Sequence, residues 1–422
     1  MNRFKLSTVT SAVVLCLSVS AAHADKGSQT GPFGFKPIDA SASAAAWNPA
    51  SPWKLPEGFT QSVVSNETNL NIYDNGRDDW HDMNTVNETG KHAGRYLYRT
   101  HEVRGVPEGG AVSVVDLKTG AARVLAQNAT WTALDGIVWT PWGTVLFAEE
   151  TTNGRLFEIT LDEQNPMYGT VSERPAVGLL AHEGIQIGSD GAVYVVDEFR
   201  GQKEGYGGGI YKFVANSYGD LSSGKLYVLK VTGNSDGTGL GEWVGPIDPY
   251  TARQAGTTAG GASYNRPEDL QIIGNTLYAA ITEGDFLADK ESYDGRVLAI
   301  DLSSMMVSNF IKPGINAPIE IGKPGDANFQ TGFDNPDNLA ATPDGKLMII
   351  EDNVPSDIWV AGMDKNGDGA ADHTWLFGSL SDPEAEGTGI YFGKDPHTLF
   401  VNIQHSAAPD GDGTWAITRH KK

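Results

Sequence analysis

The sequence predicts an all-β protein, a six-bladed β-propeller with loop insertions covering one face. Three observations predict it. A short hairpin unit recurs along the chain. The 422 residues include 51 glycines and 10 tryptophans with little sustained helical period, which favours short strands and tight turns. No crossover-helix pattern separates the units, which argues against a parallel α/β sheet.

The clearest unit is Phe333 to Asn353. A strand over Asn338 to Ala341 follows Asp334 and Asp337. Thr342-Pro343-Asp344-Gly345 is a turn: proline presets φ and glycine supplies a positive φ. A second strand, Lys346 to Ile350, ends on Glu351-Asp352. A hairpin brings its ends together, so these carboxylates gather at one end.

The same unit is written again from Asp135 to Glu150, from Glu183 to Glu198, from Pro267 to Glu283, and from Glu386 to Gln404. A degenerate first copy ends at Tyr96 to Thr100, with His101-Glu102 at its exit. Starts at 135, 183, 268, 337 and 386 fit blades of about 40–50 residues, with insertions where the spacing is longer. The largest insertion, 201–265, is glycine-rich, holds a spare strand over Lys225 to Val231, and is long enough to cover one face.

Ahead of the propeller (58–422), two segments differ in kind. Residues 1–24 read as a Sec-type signal peptide: Arg3 and Lys5, an apolar run over Thr8 to Ala21, then Ala22-His23-Ala24 before the cut. Export to the periplasm or beyond is expected. Residues 25–57 read as an extended arm. The lone cysteine, Cys16, lies in the signal segment, so the mature chain is expected to have no disulfide and no thiolate ligand. A formal charge of −22 argues against nucleic acid as a partner. No later stretch is apolar enough for a membrane span. A monomer is expected.

If the first strand of each unit lines the channel, the acidic starts and exits converge on one mouth. The set is Glu102, Asp135, Glu149, Glu150, Glu183, Asp197, Glu198, Glu268, Asp269, Glu283, Asp334, Asp337, Glu351, Asp352 and Glu386. Such a crowd cannot stay ionised without cations. Its hard oxygens suit Ca²⁺ or Mg²⁺, and also Fe³⁺ or Mn²⁺. Arg266, two residues before Glu268, could hold a phosphate or carboxylate, or pair with a neighbouring acid. Asp364, Asn366, Asp368 and Asp372 stand at positions 1, 3, 5 and 9 of a calcium-type loop, with Trp375 in place of its closing Glu. Gly233 to Gly237 matches G-x-S-x-G but lacks the helix a nucleophile elbow needs, so it is read as a loop. His101 and His182 are read as structural, hydrogen-bonded histidines.

TPWGTVLFAEE, AHEGIQI, YNRPEDLQ, FDNPDNLAATPDGKLMI, EAEGTGIYF and LFVNIQH, in that order, resemble the PhoX-type alkaline phosphatases over about Arg95 to Arg419. The resemblance implies a six-bladed propeller that hydrolyses small phosphomonoesters at calcium and ferric ions. It implies Glu149, Glu183, Glu268, Asp337 and Glu386 as metal ligands, with Arg266 and Glu268 of the R-P-E motif as catalytic groups. Two departures bear on the metal and weigh against Fe³⁺: Ala148 stands where the family has its iron-binding cysteine, and the signal reads as Sec-type where family members commonly use twin-arginine export. A calcium-dominated site, or one of altered activity, is expected. A calcium-dependent lactonase or esterase, and a non-catalytic binding propeller, are the competing readings.

Overall fold

The structure, a computed structural model, describes residues 33–73, 79–200, 208–282, 295–322 and 325–420. The signal segment and Glu283 lie outside them. The fold is all-β and propeller-like. Two strands, β1 (Trp53–Lys54) and β2 (Phe59–Asn66), come first. An antiparallel sheet follows in chain order: β3 (His81–Val86), β4 (Tyr96–His101), β5 (Ala111–Asp116) and β6 (Ala121–Gln127). The next is β7 (Leu134–Trp139), β8 (Val145–Glu149), β9 (Leu156–Leu161) and β10 (Gly169–Glu173).

A nine-stranded sheet comes next. Its first part is β11 (Ile185–Ile187), β12 (Val193–Val196), β13 (Ile210–Ser217) and β14 (Asp220–Gly233). The long β15 (Gly239–Ile247) then leads to helix α1 (Ala252–Thr258). Its second part is β16 (Pro267–Ile273), β17 (Thr276–Ile281), β18 (Arg296–Asp301) and β19 (Met306–Ile311). β15 pairs with β14 on one side and, at Gly239 and Leu240, with β19 on the other, which joins the two parts.

The fourth sheet is β20 (Pro336–Ala341), β21 (Leu347–Glu351), β22 (Asp357–Ala361) and β23 (Thr374–Leu380), with β1 on its outer edge. The last is β24 (Glu386–Phe392), β25 (Thr398–Gln404) and β26 (Gly413–Arg419), completed by β2. First strands meet first strands around a closed circuit: β3, β7, β11, β16, β20, β24 and back to β3. The expectation that these strands surround one axis therefore holds.

The turn chemistry is regular. Thr342, Thr140 and Gly188 each donate their amide across the turn, to Lys346, Thr144 and Ala192, and Gly345, Gly143 and Gly191 follow at φ 80°, 87° and 80°. Only a residue without Cβ takes that conformation freely. The cores lie between neighbouring sheets. Phe147 and Phe157 pack under Trp131, while Leu146 and Ala148 face the other way toward Val193 and Phe213. This alternation is the period of two expected of strands buried on both faces.

Two stretches differ from their expected roles. From Phe33 onward the N-terminal stretch packs tightly: Phe33 contacts Phe59, Phe377 and Phe392, and Trp53 is buried. Its aromatic residues supply the apolar area that an unanchored linker lacks. Lys225 to Val231 is part of β14, paired with β13, and so an outer sheet strand and not a spare one. The G-x-S-x-G stretch is the turn between β14 and β15. Among the described residues no helix is long and apolar enough to cross a membrane.

Candidate metal centre

A repeated backbone device aims carboxylates into the channel. In β3, β7, β16 and β20 the register with the next strand slips at one place: His81 to Asn84, Leu134 to Ile137, Pro267 to Leu270, and Pro336 to Leu339. Asp82, Asp135, Glu268 and Asp337 each sit first in that slip. A bulge of this kind re-aims one side chain. Two residues before each acid stands a non-glycine residue with positive φ: Trp80 at 39°, Ala133 at 46°, Arg266 at 54° and Asn335 at 39°. Each costs roughly 1–2 kcal/mol, and such strain clusters where a site requires it.

The carbonyls of three of these residues, and of Ala181 in the third unit, accept from the exit acids. Glu102 N–H donates to Trp80 O (3.0 Å), Glu150 to Ala133 O (2.8 Å), Glu198 to Ala181 O (2.8 Å), and Asp352 to Asn335 O (2.9 Å). Entry acid and exit acid are thereby fixed side by side. The inner strands also approach closely. A Cβ on Gly136 would lie 1.8 Å from Glu183 O, and one on Gly184 would lie 2.5 Å from Leu270 N.

The result is a polar cavity of ≈ 130 Å³ lined by Asp82, Glu102, Arg104, Asp135, Glu150, Glu183, Arg266, Glu268, Asp337, Asp352, Glu386, Thr388 and Gln404. Glu183, Glu198 and Glu268 bring ligand oxygens within 4.8 Å of one another. Arg266 Nε donates to Glu198 Oε1 at 2.6 Å and lies 2.9 Å from Glu268 Oε1. Its Nη1 is 3.5 Å from Asp352 Oδ2. Because its hydrogen points at Glu198, the Glu268 contact is one of charge only, and both Glu268 oxygens stay without a hydrogen-bond donor. Asp135 Oδ1 is buried without one too. Arg104 pairs with Glu102 and Glu150, and Gln404 donates to Glu102 Oε2 at 2.8 Å.

Electrostatics follow from this crowding. Burial first, then mutual repulsion, lifts Asp82, Asp135, Glu183, Asp337 and Glu386 well above the usual carboxyl range. Glu150 is pushed up to about 11 by burial and Glu198, and Glu268 to about 7 by burial. For Asp352, burial works upward, but its contacts with Glu386 and Arg266 hold it below the usual value. Buried carboxylate oxygens without donors, in an all-oxygen set, fit a hard cation. The residues present therefore fit a metal cluster.

Of the expected site residues, Glu183, Glu268, Asp337, Glu386 and Arg266 all line the cavity. Glu149 does not. Its carboxylate is clasped by Arg155, Nε to Oε2 at 2.7 Å and Nη2 to Oε1 at 2.8 Å, and Glu150 faces the cavity in its stead. Successive strand residues point to opposite faces, so only one of an exit pair can face the channel. Asp197 is likewise taken by Arg253 (2.5 and 2.6 Å), and Asp269 accepts from Leu270 and Leu339 backbone. Asp334 and Glu351 are also absent from the lining. His101 bonds Asp79 O and Ser113 Oγ, and His182 bonds Gly178 O, as structural histidines do. In the loop at 364–372, Asp364 accepts from the amides of Gly367, Asp368 and Gly369, and no metal-type grouping forms there among the described residues. The loop closes on its own N–H groups, as an Asx-type turn does.

Asp82, Arg104, Thr388 and Gln404 were not singled out by sequence. Asp82 could have been: His81-Asp82-Met83-Asn84 aligns with Pro336-Asp337-Asn338-Leu339. Arg104 has no such signal, being a loop residue. Ala148 is fully buried among Leu156, Val177 and Leu180.

The acid-lined cavity in a propeller-like fold has the donor set of a site for a hard cation. The family profile described as Alkaline phosphatase PhoX matches residues 154–407. The chain belongs to the PhoX alkaline phosphatase family, a family of metal-dependent phosphatases. The structure of Pseudomonas fluorescens PhoX in complex with vanadate, a transition state analogue, is similar with TM-score 0.64 and 18% identity, over 92% of this chain and 98% of that one. At this identity the likeness speaks for the fold. A putative oxidoreductase (glucose dehydrogenase) from Thermus thermophilus gives TM-score 0.49 at 13% identity, over 85% of this chain and all of that one. Virginiamycin B lyase from Staphylococcus aureus gives 0.46 at 14%, over 85% and 99%. A search of curated protein sequences finds no match.

Proposed function

We propose that the chain is an exported phosphomonoesterase whose channel mouth holds a calcium-dominated cluster. The observation that carries this is Arg266, a guanidinium set among Glu198, Glu268 and Asp352 in a cavity otherwise lined mainly by acids. Its charge is secured: burial opposes it, yet the surrounding carboxylates raise its pKa. Its planar fork matches two phosphoryl oxygens. Glu150, Glu183, Glu198, Glu268 and Asp337 would hold the cations. When bound, these polarise a phosphoryl oxygen and offset the repulsion between the acid ring and an anionic ester. Arg266 and Arg104 orient the group, and Glu268 anchors Arg266. Calcium is favoured over iron on the resemblance alone, because Ala148 stands where the family has its iron-binding cysteine.

In this reading the propeller spans 58–422 and has six blades. The closed circuit has six first strands, and the nine-stranded sheet divides into two blades on either side of β15. The signal segment, 1–24, would direct export.

The test is hydrolysis of p-nitrophenyl phosphate by the mature chain, with added Ca²⁺ and after chelation, beside Arg266→Ala with its fold checked by circular dichroism. Activity lost in both supports the proposal. Turnover of a lactone but no phosphate ester, or of neither, overturns it.

A further inference from the structure

The two arginines of the mouth stand in unlike surroundings. Beside Arg266, Glu183, Glu198 and Glu268 gather ligand oxygens within 4.8 Å, and both Glu268 oxygens lack a donor. Beside Arg104 the cavity is lined by Asp82, Glu102, Asp135 and Glu150. Among the described residues, no three of these bring ligand oxygens that close. Arg104 stands between them instead.

The backbone puts it there. Val103 is buried with Tyr73, Val106 and Ala111, which anchors the loop after β4. Val103 O accepts from Ala133 N at 3.0 Å, and Ala133 O accepts from Glu150 N at 2.8 Å. Ala133 thus fixes the loop of Arg104 against the exit acid of the next sheet. The guanidinium then spans two units. Its Nε donates to Glu102 Oε1 at 3.0 Å, and its Nη2 to Glu102 Oε1 and Glu150 Oε2. Gln404 Nε2 donates to the other Glu102 oxygen at 2.8 Å. Both oxygens of Glu102 are therefore engaged by side-chain donors, the reverse of Glu268. Burial opposes the charge on Arg104, but Glu150 and Glu102 hold it protonated. Crowded carboxylates need a cation, and a guanidinium that bridges two of them is one.

We infer that Arg104 is a built-in cation: it fills the Glu102–Glu150 side of the mouth in place of a metal ion and confines divalent cations to the Glu183–Glu198–Glu268 side. This rests on the cation cluster proposed above and adds what limits its size. Glu150 gives Arg104 one oxygen, Oε2, and so still borders the cluster. Without the guanidinium, Glu102, Glu150 and Asp135 form an all-oxygen set of the kind Ca²⁺ accepts. Asp135 Oδ1 is already buried without a donor.

The test counts Ca²⁺ per chain by equilibrium dialysis in the full mature chain and in Arg104→Met, with thermal unfolding followed as Ca²⁺ is added. Arg104→Met is expected to bind one Ca²⁺ more than wild type. Without Ca²⁺ it should unfold at a lower temperature than wild type, and added Ca²⁺ should raise its midpoint by more. The Arg104 side chain is 46% exposed, so its loss should leave the fold intact. If Arg104→Met does not fold, Arg104→Gln carries the same count. Equal counts in wild type and variant, with Ca²⁺ bound by both, overturn this inference and leave the cluster standing. No Ca²⁺ bound by wild type overturns the cluster and this inference with it.

Discussion

Arg155 grips both oxygens of Glu149, at 2.7 and 2.8 Å, and so removes from the channel a glutamate that the motif alone would place in it. The neighbour, Glu150, takes the channel face. The two should respond differently to substitution. Glu149→Gln is expected to lower stability by about 1–2 kcal/mol, between the values for an exposed and a buried pair because Arg155 is 28% exposed, with bound metal unchanged. Glu150→Gln should lose metal and activity with little change in folding. Urea unfolding and metal counts on the two variants decide this.

Arg266 should not tolerate lysine. A point charge cannot match two phosphoryl oxygens at once. Both Arg266→Lys and Arg266→Ala are expected to lower kcat/KM by roughly 10²–10³-fold, the scale of losing one preorganised donor to a transition state. Steady-state kinetics against a phosphate monoester measure it. A lysine variant with wild-type kinetics would reduce Arg266 to a structural counter-charge.

Chelation should make stability depend on pH in a particular direction. Without cations, Glu268 holds its proton up to about 7 in the folded protein against 4.5 for an ordinary glutamate, and Glu150 up to about 11. Between the ordinary and the folded value, the folded state binds more protons than the unfolded one, so stability falls as pH rises. The chelated protein should therefore lose stability from pH 4.5 to 7 through Glu268, and on toward alkaline pH through Glu150. Cations that neutralise these groups should flatten the profile. Thermal unfolding from pH 5 to 9, with and without chelator, tests the sign.

Gly136 is expected to be intolerant of any side chain. Its Cβ would strike the backbone carbonyl of Glu183 in the neighbouring sheet, and that backbone cannot move without moving a channel acid. Gly136→Ala should cost about 1–3 kcal/mol and reduce metal binding together with stability. Gly143→Ala, at a turn with open space around it, should cost stability alone, through its positive φ.

The repeat was legible because turn chemistry and strand alternation are local. The Thr-Pro-Asp-Gly turn, the acidic starts and the acidic exits all sit within one hairpin, where a few residues set the geometry. Asp337, Glu268, Glu183 and Arg266 reach the cavity for that reason. The choice between Glu149 and Glu150 was not local. It depends on which face of the strand end meets Arg155 and which the channel, and the bulge one strand away shifts that parity. Asp82 was hidden in a first copy without the usual turn. The loop at 364–372 has calcium-type spacing, and in it Asp364 accepts from the amides of Gly367, Asp368 and Gly369, a detail that spacing alone does not reveal.

β2 lies about 350 residues before β26, yet the two run side by side from Phe59↔Arg419 to Asn66↔Gly413. The last sheet thus has no outer edge until the final strand has been made, and β3 has no β24 to meet. Asp82 on one side of that seam and Glu386 on the other come together only when the circle shuts. A nascent chain carries most of the acids but not their ring, since long-range pairing of this kind forms late. The proposed cation capture at the mouth should therefore need the finished chain, and truncation of even the last strand should remove it along with closure.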